Sequence, residues 1–252
     1  MRKLIAVTIF LLLLGSLALA DTFDVTASAP GVQTPSNGTY ETFNSVLPGT
    51  PFSGFVTNYG GTNYIGTYSG SLRWYGASQY GGAGGTGTYP ALIYPSSESS
   101  SYTINLTASN GAPPANYFGL WFSALDKGNL LEFYRQGTLV FSFTPVNFIK
   151  LVGGCPDAED PYCGNPNSAY LGRDGGEQFA YLNFFDTNGW FDTIVVTEES
   201  CNGCGFESDN QTVGQLETDP VGLPIPGVPE PSSVVLLGAG VAVGSRTLRR
   251  RP

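Results

Sequence analysis

Two pairs of cysteines and two knots of acidic side chains are the residues of this 252-residue chain whose types and spacing could do chemistry. Cys155 and Cys163 have seven residues between them, and Cys201 and Cys204 have two. Disulfide closure, zinc ligation and thiol redox exchange compete for such cysteines. A Cys-x-x-Cys pair does redox work within a thioredoxin-like strand and helix, and no such pattern surrounds Asn202 and Gly203. Zinc sites space paired cysteines about two to four residues apart and often recruit histidine; the wider pair violates that spacing and the chain has no histidine. Disulfides are the leading reading, with the local pairs Cys155–Cys163 and Cys201–Cys204 first among the three possible pairings. Closing the loop from Cys155 to Cys163 would contribute about 2.5 kcal/mol on the chain-entropy argument.

Asp157, Glu159 and Asp160 lie between the first two cysteines, with Asn165 and Asn167 soon after; Glu207, Asp209 and Asn210 form a second group, near Asp186 and Asp192 at strand ends. Hard oxygen donors on loops suit calcium, which takes about 6–8 of them. No EF-hand spacing is present, and solvated acidic loops are the competing reading. No cofactor is required by the sequence; calcium is the candidate. Without histidine, Ser-His-Asp and Cys-His catalysis fall away. Carboxylate-pair glycoside hydrolysis stays chemically open, though no pair stands out among twenty acids. Flat aromatic rings could stack on sugars: Trp74 and Tyr80, beside a glycine-rich stretch, are the surface candidates, whereas Trp121 sits in an apolar run and is expected in the core.

The charge balance narrows the partners. Residues 21–231 hold all twenty acidic side chains and only five basic ones, Arg73, Lys127, Arg135, Lys150 and Arg173, for a net charge of −15. Such a surface repels nucleic-acid phosphates and favours cations, so no nucleic-acid role is expected.

The elements that must position these residues read as strands. Tyr102, Ile104 and Leu106 alternate with Thr103 and Asn105, and Leu139, Phe141 and Phe143 alternate likewise. Leu131–Arg135 and Thr138–Phe143 flank Gln136-Gly137, a two-residue hairpin turn. Ser71–Tyr75, Tyr117–Ser123, Phe179–Phe185 and Phe191–Thr197 are further strands. No helical period of 12 or more residues appears between the two ends of the chain. The expectation is an all-β, antiparallel sandwich of jelly-roll type over 21–218. The glycine-rich run Tyr59–Tyr89 is expected to lie over it as a long loop with short strands. It is no phosphate cradle, because no lysine follows in P-loop spacing.

The ends read as addresses. Met1–Ala20 places Arg2 and Lys3 before an apolar run and ends Ala18-Leu19-Ala20, which predicts a signal peptide cleaved before Asp21. Residues 219–227, with Pro220, Pro224 and Pro226, predict a stiff tether. Residues 228–252 combine Val228-Pro229-Glu230-Pro231, an apolar run from Ser232 to Ser245 and the basic end Arg249, Arg250 and Arg251. As a helix that run reaches about 21 Å, marginal against a hydrocarbon core of about 30 Å.

This tail resembles the PEP-CTERM sorting signal of Gram-negative proteins handled by exosortases. The resemblance implies export, a transient membrane anchor through a single C-terminal hydrophobic sorting helix, and cleavage near Pro229-Glu230-Pro231. Exosortase and the secretion machinery would be the partners, and the cell surface or an extracellular matrix the destination. A second likeness covers roughly residues 40–215. The run Tyr80–Gly87, the segment Tyr117–Asp126 with Asn129, Phe133 and Tyr134, and Phe206–Asn210 are similar to a group of exosortase-dependent surface proteins, for which membership implies no activity. The expected function is therefore a non-enzymatic surface or matrix protein. The alternative is a calcium-dependent carbohydrate-binding module or exported carbohydrate-active enzyme, with extracellular polysaccharide as partner.

Overall fold

A computed structural model of the chain describes residues 21–36, 38–93, 100–156, 159–199 and 204–226. The signal peptide, the sorting tail and Cys201 lie outside the described residues.

Among the described residues thirteen strands follow in chain order: β1 (Phe23–Ala27), β2 (Phe55–Thr57), β3 (Tyr64–Gly70), β4 (Arg73–Gly76), β5 (Thr88–Ile93), β6 (Ser100–Ala108), β7 (Tyr117–Leu125), β8 (Asn129–Arg135), β9 (Thr138–Phe143), β10 (Gln178–Asp186), β11 (Thr193–Glu198), β12 (Gly205–Gly214) and β13 (Leu223–Pro224). A short helix, α1 (Val146–Val152), follows β9. The strands form a seven-stranded sheet, ordered β13-β1-β10-β7-β12-β5-β4, and a six-stranded sheet, ordered β2-β3-β6-β11-β8-β9. Every pairing is antiparallel. The expected all-β sandwich is what the chain builds.

Alternation explains the six-stranded sheet. In β3, Tyr64, Gly66 and Tyr68 turn inward and Ile65 and Thr67 outward; β6 repeats the pattern with Tyr102, Ile104 and Leu106 buried. The β8–β9 hairpin turns at Gln136 and Gly137, both at positive φ (50° and 77°), the geometry that matches the twist of the flanking strands. Phe133 of β8 is the centre of the aromatic core, with ring centroids 5.3 Å from Phe23, 5.3 Å from Phe184 and 5.0 Å from Phe191. Each such pair adds about 0.5–1.5 kcal/mol beyond burial.

The middle of the seven-stranded sheet is buried on both faces: β7 and β10 bury all nine of their residues. Its inner face carries Phe118, Leu120 and Phe122 of β7 and Leu182 and Phe184 of β10 into the main core. Its outer face, with Trp121, Phe179 and Tyr181, is roofed by loops. The glycine-rich loop is fixed by Ala83 N–H, which donates to Asp209 Oδ2 at 2.8 Å. The loop carrying Cys155 and Cys163 is tied to it through Asn165 Nδ2 to Gln79 O (2.9 Å) and Asn167 Nδ2 to Gly82 O (3.1 Å).

Two sequence expectations change. Residues 219–227 were expected as a tether, yet Leu223–Pro224 add an edge strand to β1 and Ile225, 6% exposed, joins the core. Proline is tolerated there because an edge strand has one unpaired side. The glycine-rich stretch contains a full seven-residue strand, β3, where Gly66 leaves space for the Tyr59 ring that a Cβ would strike.

The two sheets are also joined by polar bonds. Gln211 of β12, fully buried, accepts from Tyr68 Oη at 2.6 Å through Oε1, and its Nε2 donates to Tyr102 Oη (3.3 Å) and Ser208 Oγ (3.1 Å). Gln211→Ala would leave two buried phenols short of partners and is expected to cost about 2–3 kcal/mol in urea unfolding. Tyr80→Ala, at a residue 47% exposed, is expected to stay within about 0.5 kcal/mol of the parent. Equal costs for the two would overturn the polar clamp.

Candidate functional site

At one end of the sandwich, residues distant in sequence meet because strands end together. β7 runs out at Leu125 and delivers Asp126; β11 ends on Glu198; β12 starts at Gly205 and presents Glu207; the loop before β10 brings Asp174 and Glu177. Asn129, the first residue of β8 and fully buried, organises the end. Its Oδ1 accepts Asp126 N–H at 2.7 Å, and its Nδ2 donates to Gly205 O at 2.8 Å and to Glu198 Oε2. Gly205 N–H in turn donates to Asp126 Oδ2 at 3.2 Å.

Five carboxyl groups therefore act on one another across two sheets and a loop. Burial holds Glu207 well above the usual carboxylate range, and Asp126, Glu177 and Glu198 push it the same way. Glu198 is pushed up to about 7 by burial and then Asp126, against the Asn129 hydrogen bond. Glu177 is pushed up to about 8 by burial, by its hydrogen bond with Asp174 and by the charges of Asp126 and Asp174. Asp126 and Asp174 are raised as well, burial first in both. No lysine or arginine is among the groups acting on any of the five. Glu198 Oε1, Glu207 Oε2 and Asp174 Oδ2 are buried without a hydrogen-bond partner. Such an arrangement can store protons or hold a hard cation. Four open clefts elsewhere, the larger two flanked by Trp74 and by Tyr117, are lined by none of these acids.

The sequence candidates are distributed differently from expectation. Cys155 and Cys163 form a disulfide, with Cα atoms 5.6 Å apart. Cys204 is also disulfide-bonded, and its expected partner, Cys201, lies outside the described residues. Asp157 likewise lies outside them, and Glu159 is exposed on the same loop. Asp160 is structural: Oδ1 accepts Tyr162 N–H at 2.9 Å and Oδ2 accepts Gln178 Nε2 at 3.0 Å. Cys155, Asp160 and Cys163 bring ligand atoms within 4.8 Å of one another, but sulfurs joined in a disulfide offer no thiolate to a metal. Glu207 and Asp209 were expected to act together. Glu207 belongs to the acidic end, whereas Asp209 accepts from the N–H groups of Ala83 (2.8 Å) and Asn210 (2.7 Å) and serves the roof of the sheet.

Trp74 is a correction: expected as a surface platform, it is 5% exposed, with its ring 5.2 Å from Phe55 and 5.7 Å from Phe43. The hydrophobic interior claims it, and Tyr80 stands exposed without it. Trp121 is buried as expected. Of the cleavage residues, Ala18 and Ala20 lie outside the described residues. Asp21 is bound by Arg135, 2.8 Å from its Nη2. Val228, Pro229, Glu230, Pro231, Arg249, Arg250 and Arg251 lie outside them too. Sequence reading missed Asp126, Asn129, Asp174, Glu177 and Glu198 as site residues, because their meeting is made by strand ends and by no local spacing.

A smaller acidic group sits where β10 leaves the sheet. Asp186 is fully buried, its Oδ1 accepting Asn188 N–H at 3.3 Å and its Oδ2 without a partner. Burial and then Asp21 push its carboxyl up from 3.8 to about 6, against the N–H groups of Asn188 and Gly189 and the charge of Arg135. A folded-state value above the unfolded one stabilises the fold at low pH, and that contribution is lost as pH rises from about 4 through about 6. Asp186→Asn should remove this slope, so the variant gains relative to the parent between pH 4 and pH 7 in urea-midpoint measurements. An identical difference at both pH values would sink the assignment.

No protein-family model matches the chain, and no curated protein matches it. Among solved structures the chain is similar to the enzymatically active domain of tailspike protein 4 from bacteriophage CBA120, at 15% identity and a TM-score of 0.31. The likeness covers 61% of this chain and 19% of that one. At that degree it carries no functional weight.

Proposed function

We propose that the chain is an exported, non-enzymatic surface or matrix protein whose β-sandwich is the cargo and whose two ends are addresses. The observation that carries this reading is the Cys155–Cys163 disulfide, since such bonds persist outside the reducing cytosol. It agrees with the cleavage pattern Ala18-Leu19-Ala20 before Asp21 and with the PEP-CTERM-like tail.

On this reading residues 1–20 direct secretion, and the tail holds the chain in the membrane with Arg249, Arg250 and Arg251 on the cytoplasmic side. Exosortase then cuts close to Pro229-Glu230-Pro231. A jelly-roll type is the form we assign to the sandwich; repeated crossing supports it, the chain passing from one sheet to the other between β1 and β2, β3 and β4, β5 and β6, β6 and β7, β7 and β8, β9 and β10, β10 and β11, and β11 and β12.

Intact mass of the native protein, recovered from membrane and external fractions, tests the route. The external form should begin at Asp21 and end near residues 229–231, and Glu230→Ala should leave an uncut form in the membrane. An external wild-type form extending to Pro252 would refute the processing.

A further inference from the structure

We propose that the acidic end of the sandwich is a calcium site, with Glu198 and Glu207 as inner carboxylates and Asp126, Asp174 and Glu177 closing it toward solvent. The site stands on the fold alone and is independent of how the chain is sorted.

The first support is an exception to a rule that the rest of β12 obeys. From Glu207 to Thr212 the strand carries six consecutive polar residues, each at most 6% exposed. Ser208 and Gln211 bond each other, Asp209 takes two backbone N–H groups, Asn210 Nδ2 donates to Gln33 O at 2.7 Å, and Thr212 Oγ1 donates to Thr39 O at 2.6 Å. Glu207 alone in this run has a buried side-chain oxygen, Oε2, with no protein donor. Buried polar atoms are nearly always paired, and an exception asks for an ion or other partner.

The second support is convergence. Glu198 comes from the six-stranded sheet and is 0% exposed; Glu207 comes from the seven-stranded sheet and is 5% exposed; each keeps one buried oxygen without a partner. The groups that face them are also acids, and Asn129 is the neutral donor between them. Glycines make the room: a Cβ on Gly128 would stand 3.0 Å from Glu198 Oε1, and one on Gly205 would overlap Glu207 Oε1.

The donor set selects the ion. All five side chains offer hard oxygens, and neither histidine nor thiolate is near, which disfavours zinc and copper. Calcium accepts irregular shells of about 6–8 oxygens, including bidentate carboxylates, whereas magnesium demands a regular octahedron and keeps its waters. No three of the acids bring a ligand oxygen within 4.8 Å of one another among the described residues. A cation would draw them together by rotation of the glutamate side chains.

The test is titration calorimetry of the full-length chain with calcium chloride, paired with thermal melts in calcium, magnesium or chelator. One calcium per chain is expected, with an affinity of about 10⁻⁴–10⁻³ M or tighter and a melt raised by calcium and lowered by chelator. Glu198→Gln and Glu207→Gln should each weaken binding at least about tenfold, while Glu217→Gln, at an exposed site, should leave it unchanged. The wild-type melt decides even where a variant fails to fold. A folded parent that takes up no calcium at about 10 mM, magnesium acting as strongly as calcium, or binding unaltered in both glutamine variants would each overturn the site.

Discussion

The structure depends on burying a polar strand. β12 lies between β7 and β5 in the seven-stranded sheet, roofed on its outer side, and still carries Glu207-Ser208-Asp209-Asn210-Gln211-Thr212. A buried polar group without a partner costs about 1–3 kcal/mol, so this strand is stable only where each neighbour is placed to bond it. That requirement arranges much of the molecule. Gln211 brings Tyr68 and Tyr102 of the opposite sheet to one point, and Asn210, at φ 47° in a bulge, sends its amide to the loop at Gln33. Thr212 and the Glu41–Gln211 bridge fasten the segment around residues 39–41. Asp209 fixes the glycine-rich loop.

The same requirement explains what was legible in the sequence. β6, β8 and β9 announce themselves because one face is apolar and the other polar, and their hairpin turn sits where Gln136-Gly137 places it. β7 and β10 are apolar on both faces and were found as runs. β12 is silent in the sequence, because a strand whose burial rests on hydrogen bonds has no hydrophobic period to read. β13 was hidden for a related reason: Pro220, Pro224 and Pro226 signal a tether, and only the docking of Ile225 into the core turns that segment into an edge strand.

The functional candidates divide along the same line. Cys155 and Cys163 were readable because a nine-residue loop is a local object. Glu207 stands out for its acidic neighbours, yet its closest acidic neighbour in sequence, Asp209, has a different task. Its electrostatic partners come from positions 126, 174, 177 and 198, and nothing in their spacing foretells a meeting. Trp74 shows the converse: proximity to a flexible-looking stretch suggested the surface, while a large apolar ring was claimed by Phe43, Phe52 and Phe55.

Charge balance then limits how the acidic end can be neutralised. Residues 21–231 contain five basic side chains against twenty acids, and Arg135 is already engaged by Asp21. Lys127 and Arg173 adjoin Asp126 and Asp174 in sequence but are exposed, with their charges in water, where screening leaves little for a buried carboxylate. Internal ion pairing therefore cannot compensate five converging carboxyl groups. Protons do so in acid, when Glu177 and Glu198, raised to about 8 and about 7, remain neutral. Glu198 loses its proton near neutrality and Glu177 only above it, and a cation bound there, as proposed above, would supply the balancing charge from the surrounding solution.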